Sequence, residues 1–408
     1  MKWKIIALCL LLIMGFSGLK VGSGIAQTVK EIKIGIIEPL TGPLAQDGLI
    51  NMKAYEFAID EINKAGGIKS KGGAQIKIIK GDSTGKPEVG MGEAERLIKD
   101  GALALLGAYQ SSVTFTTSQV AERNQTPYIC PISSAGAIAK RGFKYLIKNS
   151  PDSDMYSVAA LDFIKQIGEK TGKKAKNMAI MFEDTLHGKE LADTMRRMAK
   201  DYTLEVSEFI AYPHATSDIT AEVSKVKARN SDVFMTITYV ADAILITKTM
   251  NKLRYSPMAY FSYAGGANPQ YAKSLGPLAE GTWTNAEWNH LLKKKGVKEL
   301  NEKFKRYAGV NMDGFRAEIY TAVYVLKDAL ERASSLNKDN IMEALRKTNM
   351  TDHIMPYDRI LFDESGKNPN VKALIVEVKK EEYFPVYPFE YAAGNASWPF
   401  MPWEKRGL

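Results

Sequence analysis

Strand-like and helix-like segments alternate through most of this 408-residue chain, and that rhythm constrains its fold more than any other feature. Ile32-Lys33-Ile34-Gly35-Ile36-Ile37 is rich in β-branched residues and closes at Pro39 and Gly42, the pattern of a strand. Residues 49–64 follow with Met52, Tyr55, Phe57, Ile59 and Ile62 at mainly helical spacing, stopped by Gly66-Gly67. A strand over 76–79, a helix over 88–99 and a buried strand over 102–106 continue the series. A helix opened by Ser111, Ser112 and Thr114 then runs through Arg123 to a strand at 128–130. A strand feeding a helix and then a further strand returns to its own sheet as a parallel neighbour, so this order implies a mostly parallel, doubly wound α/β sheet.

A second series begins after Asn149-Ser150-Pro151: helices at 154–168, 189–201, 219–228 and 242–253, with strands at 178–182, 204–210, 233–238 and 258–261. At about 100–200 residues per domain, a chain of this length suits two lobes of similar design. The tail departs from the rhythm. Residues 371–379 and 383–387 read as a strand pair, followed by Trp398, Pro399, Phe400, Pro402 and Trp403, too apolar to hang in water and expected to pack along a lobe.

The N-terminus has the three-part layout of a secretory signal: Lys2 and Lys4, an apolar run over 5–16, and the small-x-small site Gly24-Ile25-Ala26. The run falls short of the roughly 20 residues of a membrane span and is interrupted by Gly15, Ser17, Gly18 and Lys20. Residues 1–26 are therefore expected to be removed on export to the periplasm or another extracytoplasmic compartment. Cys9 lies inside the apolar run behind Leu8, a poor context for lipid anchoring. Cys130 is then the one thiol left, so no internal disulfide is expected and a buried structural role suits it. Of the net charge of +9, three positives (Lys2, Lys4, Lys20) leave with the signal, giving +6. The remaining Lys and Arg are scattered among Asp and Glu, which argues for a solvated surface and against a nucleic-acid partner.

Catalytic and cofactor signatures are missing. His187, His214, His290 and His353 are far apart in sequence, and no HExxH, GxSxG, P-loop or dinucleotide fingerprint occurs. No enzyme activity, metal or cofactor is expected. The informative positions are the carboxyl ends of the strands, where parallel α/β sheets hold ligands and helix N-termini offer N–H groups to anions. These ends read Pro39-Leu40-Thr41-Gly42, Gly107-Ala108-Tyr109-Gln110-Ser111-Ser112, Pro131-Ile132-Ser133-Ser134, Tyr239, and Ser262-Tyr263-Ala264-Gly265-Gly266. Ser111, Ser112, Ser133 and Ser134 suit ordinary helix capping and equally a shared anion site. Tyr109, Tyr239 and Tyr263 suit cleft walls and equally the core.

The stretch Lys33-Ile34-Gly35 through Pro39-Leu40-Thr41-Gly42-Pro43-Leu44-Ala45, with Ala58-Ile59-Asp60-Glu61-Ile62-Asn63-Lys64-Ala65-Gly66-Gly67-Ile68, resembles the start of the leucine/isoleucine/valine-binding family. These are type I solute-binding proteins of ABC importers. The resemblance extends over nearly the whole exported chain. It implies two lobes, 28–147 with 281–362 and 148–280 with 363–408, joined by a three-crossover hinge that closes on a small-molecule ligand. It implies a monomer that delivers its ligand to membrane permease subunits. The family's carboxylate contacts fall on Ser111 and Ser134, with Ser133 and Ser112 beside them, and its aromatic contacts on His187 and Tyr239. Asp47 stands where amino-acid binders place a tryptophan. Ala264 stands where they place the glutamate that receives the α-ammonium. A buried ammonium without a counter-charge is costly, so either Asp47, Asp184 or Asp242 substitutes or the ligand lacks an α-amino group. The cargo is expected to be amino-acid-like or another small organic carboxylate or amide, aromatic or aliphatic, with a plain branched-chain amino acid disfavoured. The alternative role is a ligand-sensing periplasmic receptor signalling to a membrane partner. A receptor ectodomain would add a membrane span after the binding domain, and a DNA-binding regulator would begin with a helix-turn-helix.

Overall fold

The structure, a computed structural model, describes residues 29–405. The expected signal segment and Cys9 lie outside the described residues. The first series gives β1 (Glu31–Glu38), α1 (Ala45–Lys64), β2 (Gln75–Asp82), α2 (Pro87–Lys99), β3 (Ala104–Gly107), α3 (Ser111–Arg123), β4 (Tyr128–Cys130) and β5 (Leu146–Lys148). Its sheet runs β2-β1-β3-β4-β5, every pair parallel. The second series gives α4 (Ser153–Thr171), β6 (Asn177–Glu183), α5 (Leu186–Ala199), β7 (Glu205–Tyr212), α6 (Thr220–Ala228), β8 (Val233–Thr238), α7 (Val240–Lys252), β9 (Ala259–Ala264), α8 (Pro269–Leu275) and β10 (Trp283–Ala286). The chain then adds α9 (Val297–Ala308), α10 (Gly314–Arg332), α11 (Lys338–Arg346), the short pair β11 (Asn349–Met350) and β12 (Ile360–Leu361), and finally β13 (Leu374–Lys379) and β14 (Glu382–Tyr387). The second sheet runs β14-β13-β10-β9-β8-β6-β7. It is parallel from β10 to β7, with β13 and β14 antiparallel at one edge.

The double winding follows from where each strand buries its two faces. On β1, Ile32, Ile34 and Ile36 pack with Tyr55 and Ala58 of α1, while Ile37 packs on the other side with Leu97 of α2 and Val113 of α3. On β8, Val233, Met235 and Ile237 face α4 and α5, while Phe234 faces Ile246 and Met250 of α7. Each large side chain buried this way is worth about 1.5–3 kcal/mol relative to exposure, which is why these strands read as nearly continuous apolar runs. Cys130 is buried in the first lobe, as a packing residue. In the tail, Trp398 stacks on Trp283 at 5.5 Å, and Phe400 and Trp403 are buried against the second sheet's helices.

The chain passes between the sheets after β5, after β10 and before β13. Residues 283–286, expected with the first lobe, pair in the second sheet through β9 and β13. Lys367, expected in the second lobe, bridges Lys148 at the edge of the first sheet. One side chain network ties the passages together. Asn149 donates to Glu318 Oε2 of α10 at 3.1 Å, and Asn368 donates to Asn149 Oδ1 at 3.0 Å. Buried Lys148 gives its ammonium to Ser150 O, Ser150 Oγ and Pro151 O at 2.7–3.0 Å.

Candidate functional site

The carboxyl ends of both sheets face one another across a shared cavity, because parallel strands of each lobe all end on the same side. The first lobe contributes Tyr109, Ser111, Ile132 and Ser134 from the loops after β3 and β4, and Phe315 from the start of α10. The second lobe contributes His187 from α5, Tyr239 after β8, Tyr263 and Ala264 at the end of β9, Tyr156 of α4 and Asn285 of β10. Between these walls lies a cavity of only about 20 Å³. The lobes are thus closed on each other. Ser134 Oγ and His187 Nδ1 meet at 2.7 Å, Asn268 donates to Asp47 Oδ1 at 2.5 Å, and the Glu190 carboxylate of α5 accepts the N–H groups of Gly136 and Ala137 at 2.5 and 3.2 Å.

The wall presents hydrogen-bond donors without a formal charge. Ser111 Oγ accepts the Ala135 N–H at 3.2 Å, leaving its own hydrogen to donate. The hydroxyls of Tyr109 and Tyr239 and the Nε2 of His187 are buried without a hydrogen bond of normal geometry, Tyr109 beside Asp47 and Tyr239 beside Thr185. Burial pushes the His187 pKa down to about 4, so its ring is neutral near pH 7. The Ser134–His187 pair keeps one donor in either tautomer: Nε2–H if the serine donates to Nδ1, or the serine hydroxyl if Nδ1–H donates to it. The tyrosine rings pack edge-on, Tyr109 against Tyr239 at 5.5 Å and against Phe315 at 6.2 Å.

The deep wall differs. Tyr156 Oη donates to Glu287 Oε1, which also accepts Asn285 Nδ2 at 3.1 Å. Asn285 Oδ1 in turn accepts the Ala264 N–H at 2.8 Å. Burial pushes Glu287 up to about 7. Ala264 sits at φ +57, a conformation costing a residue with a Cβ about 1–3 kcal/mol, held by this hydrogen bond and by Gly265, whose Cβ would lie 2.5 Å from the Tyr239 carbonyl.

Six of the nine residues singled out in the sequence line this cavity: Tyr109, Ser111, Ser134, His187, Tyr239 and Tyr263. Tyr263 does so with its ring, since its hydroxyl donates to the Tyr156 carbonyl at 3.0 Å and β9 extends three residues further than expected. Three do not. Ser133 turns into its lobe, its Oγ on Ala108 O at 2.8 Å and Thr114 Oγ1 at 2.6 Å. Ser112 stands partly exposed on α3, outside the lining. Asp47 is buried behind Tyr109 and bound to Asn268, and burial pushes its pKa up to about 6. The capping role does not hold either: Ser111 is the first helical residue, and the N-cap Gln110 makes no side-chain cap bond. Tyr156, Asn285 and Phe315 went unread. Tyr156 stood one turn into the helix after Asn149-Ser150-Pro151, which was a usable signal. Phe315 and Asn285 lie where the sequence reading placed no element.

His187 owes its position to Gly188. A Cβ at Gly188 would lie 2.0 Å from the Glu183 carbonyl oxygen, and the Gly188 N–H donates to Glu183 Oε1 at 2.7 Å. Gly188→Ala is expected to lower the unfolding free energy by about 1–3 kcal/mol, read from urea denaturation; an unchanged midpoint would contradict the close approach.

A family model described as periplasmic binding protein matches residues 31–382. Leu/Ile/Val-binding protein homolog 8 of Brucella abortus (strain 2308) is 27% identical over 387 residues, covering 91% of this chain and 95% of that protein. Homolog 7 of the same organism is 25% identical over 378 residues, with 90% and 94% covered. Among solved structures, the leucine-binding protein LivK of Thermotoga maritima aligns with TM-score 0.78 at 20% identity over 88% of this chain and 99% of its own. The branched-chain amino acid transporter substrate-binding protein LivJ of Streptococcus pneumoniae, in complex with isoleucine, aligns with TM-score 0.77 at 20% identity over 87% and 98%. These structures share the fold of two parallel-sheet lobes. Among the described residues, no helix is long and apolar enough to cross a membrane. With a family model matched over most of its length and a cleft lined from both lobes at their strand ends, the chain belongs to the periplasmic binding protein family, exported proteins that bind substrates rather than transform them.

Proposed function

We propose that this protein captures a small aromatic or aliphatic carboxylate, or the matching amide, between its lobes and delivers it to the permease of an ABC importer. The observation that carries the cargo class is the lining itself: hydroxyl and imidazole donors with aromatic rings, and no carboxylate among the lining residues to meet an ammonium. Ala264 occupies the position where an acid was expected, and Asp47 lies outside the lining with one of its oxygens on Asn268. A free α-amino acid would therefore bury its ammonium against tyrosine rings, at a cost of several kcal/mol. A carboxylate gains charge-assisted hydrogen bonds from the same donors. The Brucella relatives carry names referring to leucine, isoleucine and valine, and this reading departs from them on the cargo alone. The lobes are proposed to move as 29–147 with 287–371 against 150–286 with 372–405, hinged at the three passages, in the periplasm and as a monomer. No observation favours the sensory role over transport.

Mass spectrometry of the small molecule that copurifies, with calorimetry of benzoate and phenylacetate against leucine, isoleucine and valine, tests the cargo. Carboxylates without an α-amino group are expected to bind and to raise the melting temperature. Micromolar binding of leucine would overturn the reading. Ser111→Ala combined with Ser134→Ala is expected to weaken the cargo about 10- to 100-fold while leaving the lobes folded. Equal affinity in that variant would remove the serines from the site.

A further inference from the structure

The first turn of α5 belongs to the second lobe, yet its side chains close on one loop of the first. That loop follows β4 and turns once at Gly136–Ile138, where the N–H groups of Ile138 and Ala139 donate to the carbonyls of Ala135 and Gly136 at 3.2 and 3.1 Å. Three successive N–H groups of this loop go to side chains. Ala135 donates to Ser111 Oγ of its own lobe, whereas Gly136 and Ala137 donate to Glu190 Oε1 and Oε2 of the other. About one helical turn before Glu190, His187 meets Ser134, and Leu186 packs against the first-lobe core cluster that contains Ala135 and Ile138. His187 and Glu190 share a face of α5, because residues three apart on a helix are neighbours.

Glu190 differs from its neighbours in what it leaves alone. Ser134 and His187 line the cavity, and Glu190 stands outside the lining. Its platform is fixed, since the Glu183 carboxylate accepts the N–H groups of Thr185 and Gly188 at 2.6 and 2.7 Å and so sets where α5 begins. The loop makes room for it at Gly136, where a Cβ would lie 3.1 Å from Glu190 Oε1. Both carboxylate oxygens bond across the lobes, so these bonds exist only while the lobes are together. On opening, the carboxylate and both N–H groups return to water. An interaction made in one state alone shifts the equilibrium toward that state by its own free energy. Apparent affinity then scales with the fraction of protein in the binding-competent form.

We propose that Glu190 sets the affinity of the cleft without touching what the cleft holds. It keeps the lobes together whatever the cargo, slows release, and leaves selectivity to the lining residues. This rests on the cleft being a binding site that closes, and not on the class of cargo.

The test uses the full exported chain, spin-labelled at Lys144→Cys in the first lobe and Asp193→Cys in the second, both exposed positions, while Cys130 is buried. Double electron–electron resonance without cargo reads the separation of the lobes. Glu190→Gln keeps the side chain's length and removes its charge, and it is expected to move the distance distribution toward longer separations. Gly136→Val crowds the carboxylate from the other lobe and is expected to do the same. Stopped-flow measurements then use benzoate, phenylacetate and leucine. Every probe that binds is expected to leave either variant about 5- to 10-fold faster, with its association rate and the ratio between probes kept. Should Gly136→Val fail to fold, Glu190→Gln decides the matter, since Glu190 is only half-buried. An unchanged distance distribution in Glu190→Gln, unchanged release from it, or an altered ranking of the probes would each overturn the proposal. A lengthened separation with none of the three probes bound would sink the cargo class and leave the role of Glu190 standing.

Discussion

Arg316→Met is expected to remove about 3–5 kcal/mol of stability, the usual cost of deleting one partner from a buried ionic cluster. Arg316 is 1% exposed near the start of α10, where its guanidinium pairs with Asp313 and donates to Asn51 Oδ1 at 3.0 Å. Its charge also lowers the proton affinity of Glu38 and Asp47, both inaccessible to solvent. Methionine fills a similar volume, so the loss isolates charge from packing. Asp313 and Asn51 would be left without a cation, and Asp47 would lose part of what steadies its contact with Asn268 across the lobes. Urea denaturation reads the change as a lower midpoint at constant slope. The exposed pair Arg96–Glu93 is the comparison, and Arg96→Ala is expected to cost at most about 1 kcal/mol. A loss for Arg316→Met no larger than that would mean that water reaches the cluster.

Stability is also expected to fall by roughly 2 kcal/mol between pH 6.5 and pH 8, at about 1.4 kcal/mol per unit of proton-affinity shift per group. Glu38 is pushed from its ordinary 4.5 up to about 8, and Glu287 to about 7, each chiefly by burial. Such acids bind more protons folded than unfolded, so stability is present below the unfolded value and is lost as pH rises toward the folded one. Glu38 faces Asn51, Tyr55, Arg316 and Asp47; Glu287 faces Tyr156, Asn285, Asp313 and Glu318. His214, raised by its bond to Asp242, contributes with the same sign over the same range. His187, lowered to about 4, acts oppositely and below pH 6.5, which leaves the neutral-to-alkaline window to the acids. Denaturation midpoints across that window measure the slope. Glu38→Gln keeps the acceptor for Asn51 and removes the proton, so it is expected to flatten most of the dependence. A wild-type profile flat from pH 6.5 to pH 8 would contradict the burial of these carboxylates.

Much of the fold could be read before any coordinate. The strand at Val233–Thr238 and the helix Ser111–Arg123 lie where periodicity put them. Hydrophobic spacing is a local signal, and each element buries faces set by its own geometry. The same logic found the strand ends, and with them most of the cleft. Helices α9 to α11 went unread, although Val297, Leu300, Phe304 and Ala308 form an apolar stripe that the same spacing test finds.

What the sequence could not settle is which of two neighbours faces the ligand. Ser133 and Ser134 are chemically identical and adjacent, in a loop that has no period. Only the tertiary placement of Ala108 and Thr114 on one side, and of His187 on the other, turns the first inward and the second to the cleft. Asp47 offered itself in sequence as a counter-charge, and folding set it outside the cavity lining, with one oxygen on Asn268, 221 residues away. Glu287 gave no sequence signal, yet it orients Tyr156 and Asn285 at the floor of the cavity. The chain alone therefore determined two parallel-sheet lobes and the loops that meet between them, because those follow from local spacing and burial. The polarity of the cleft was decided by the tertiary structure, because each hydroxyl's direction depends on partners that folding brings from distant segments.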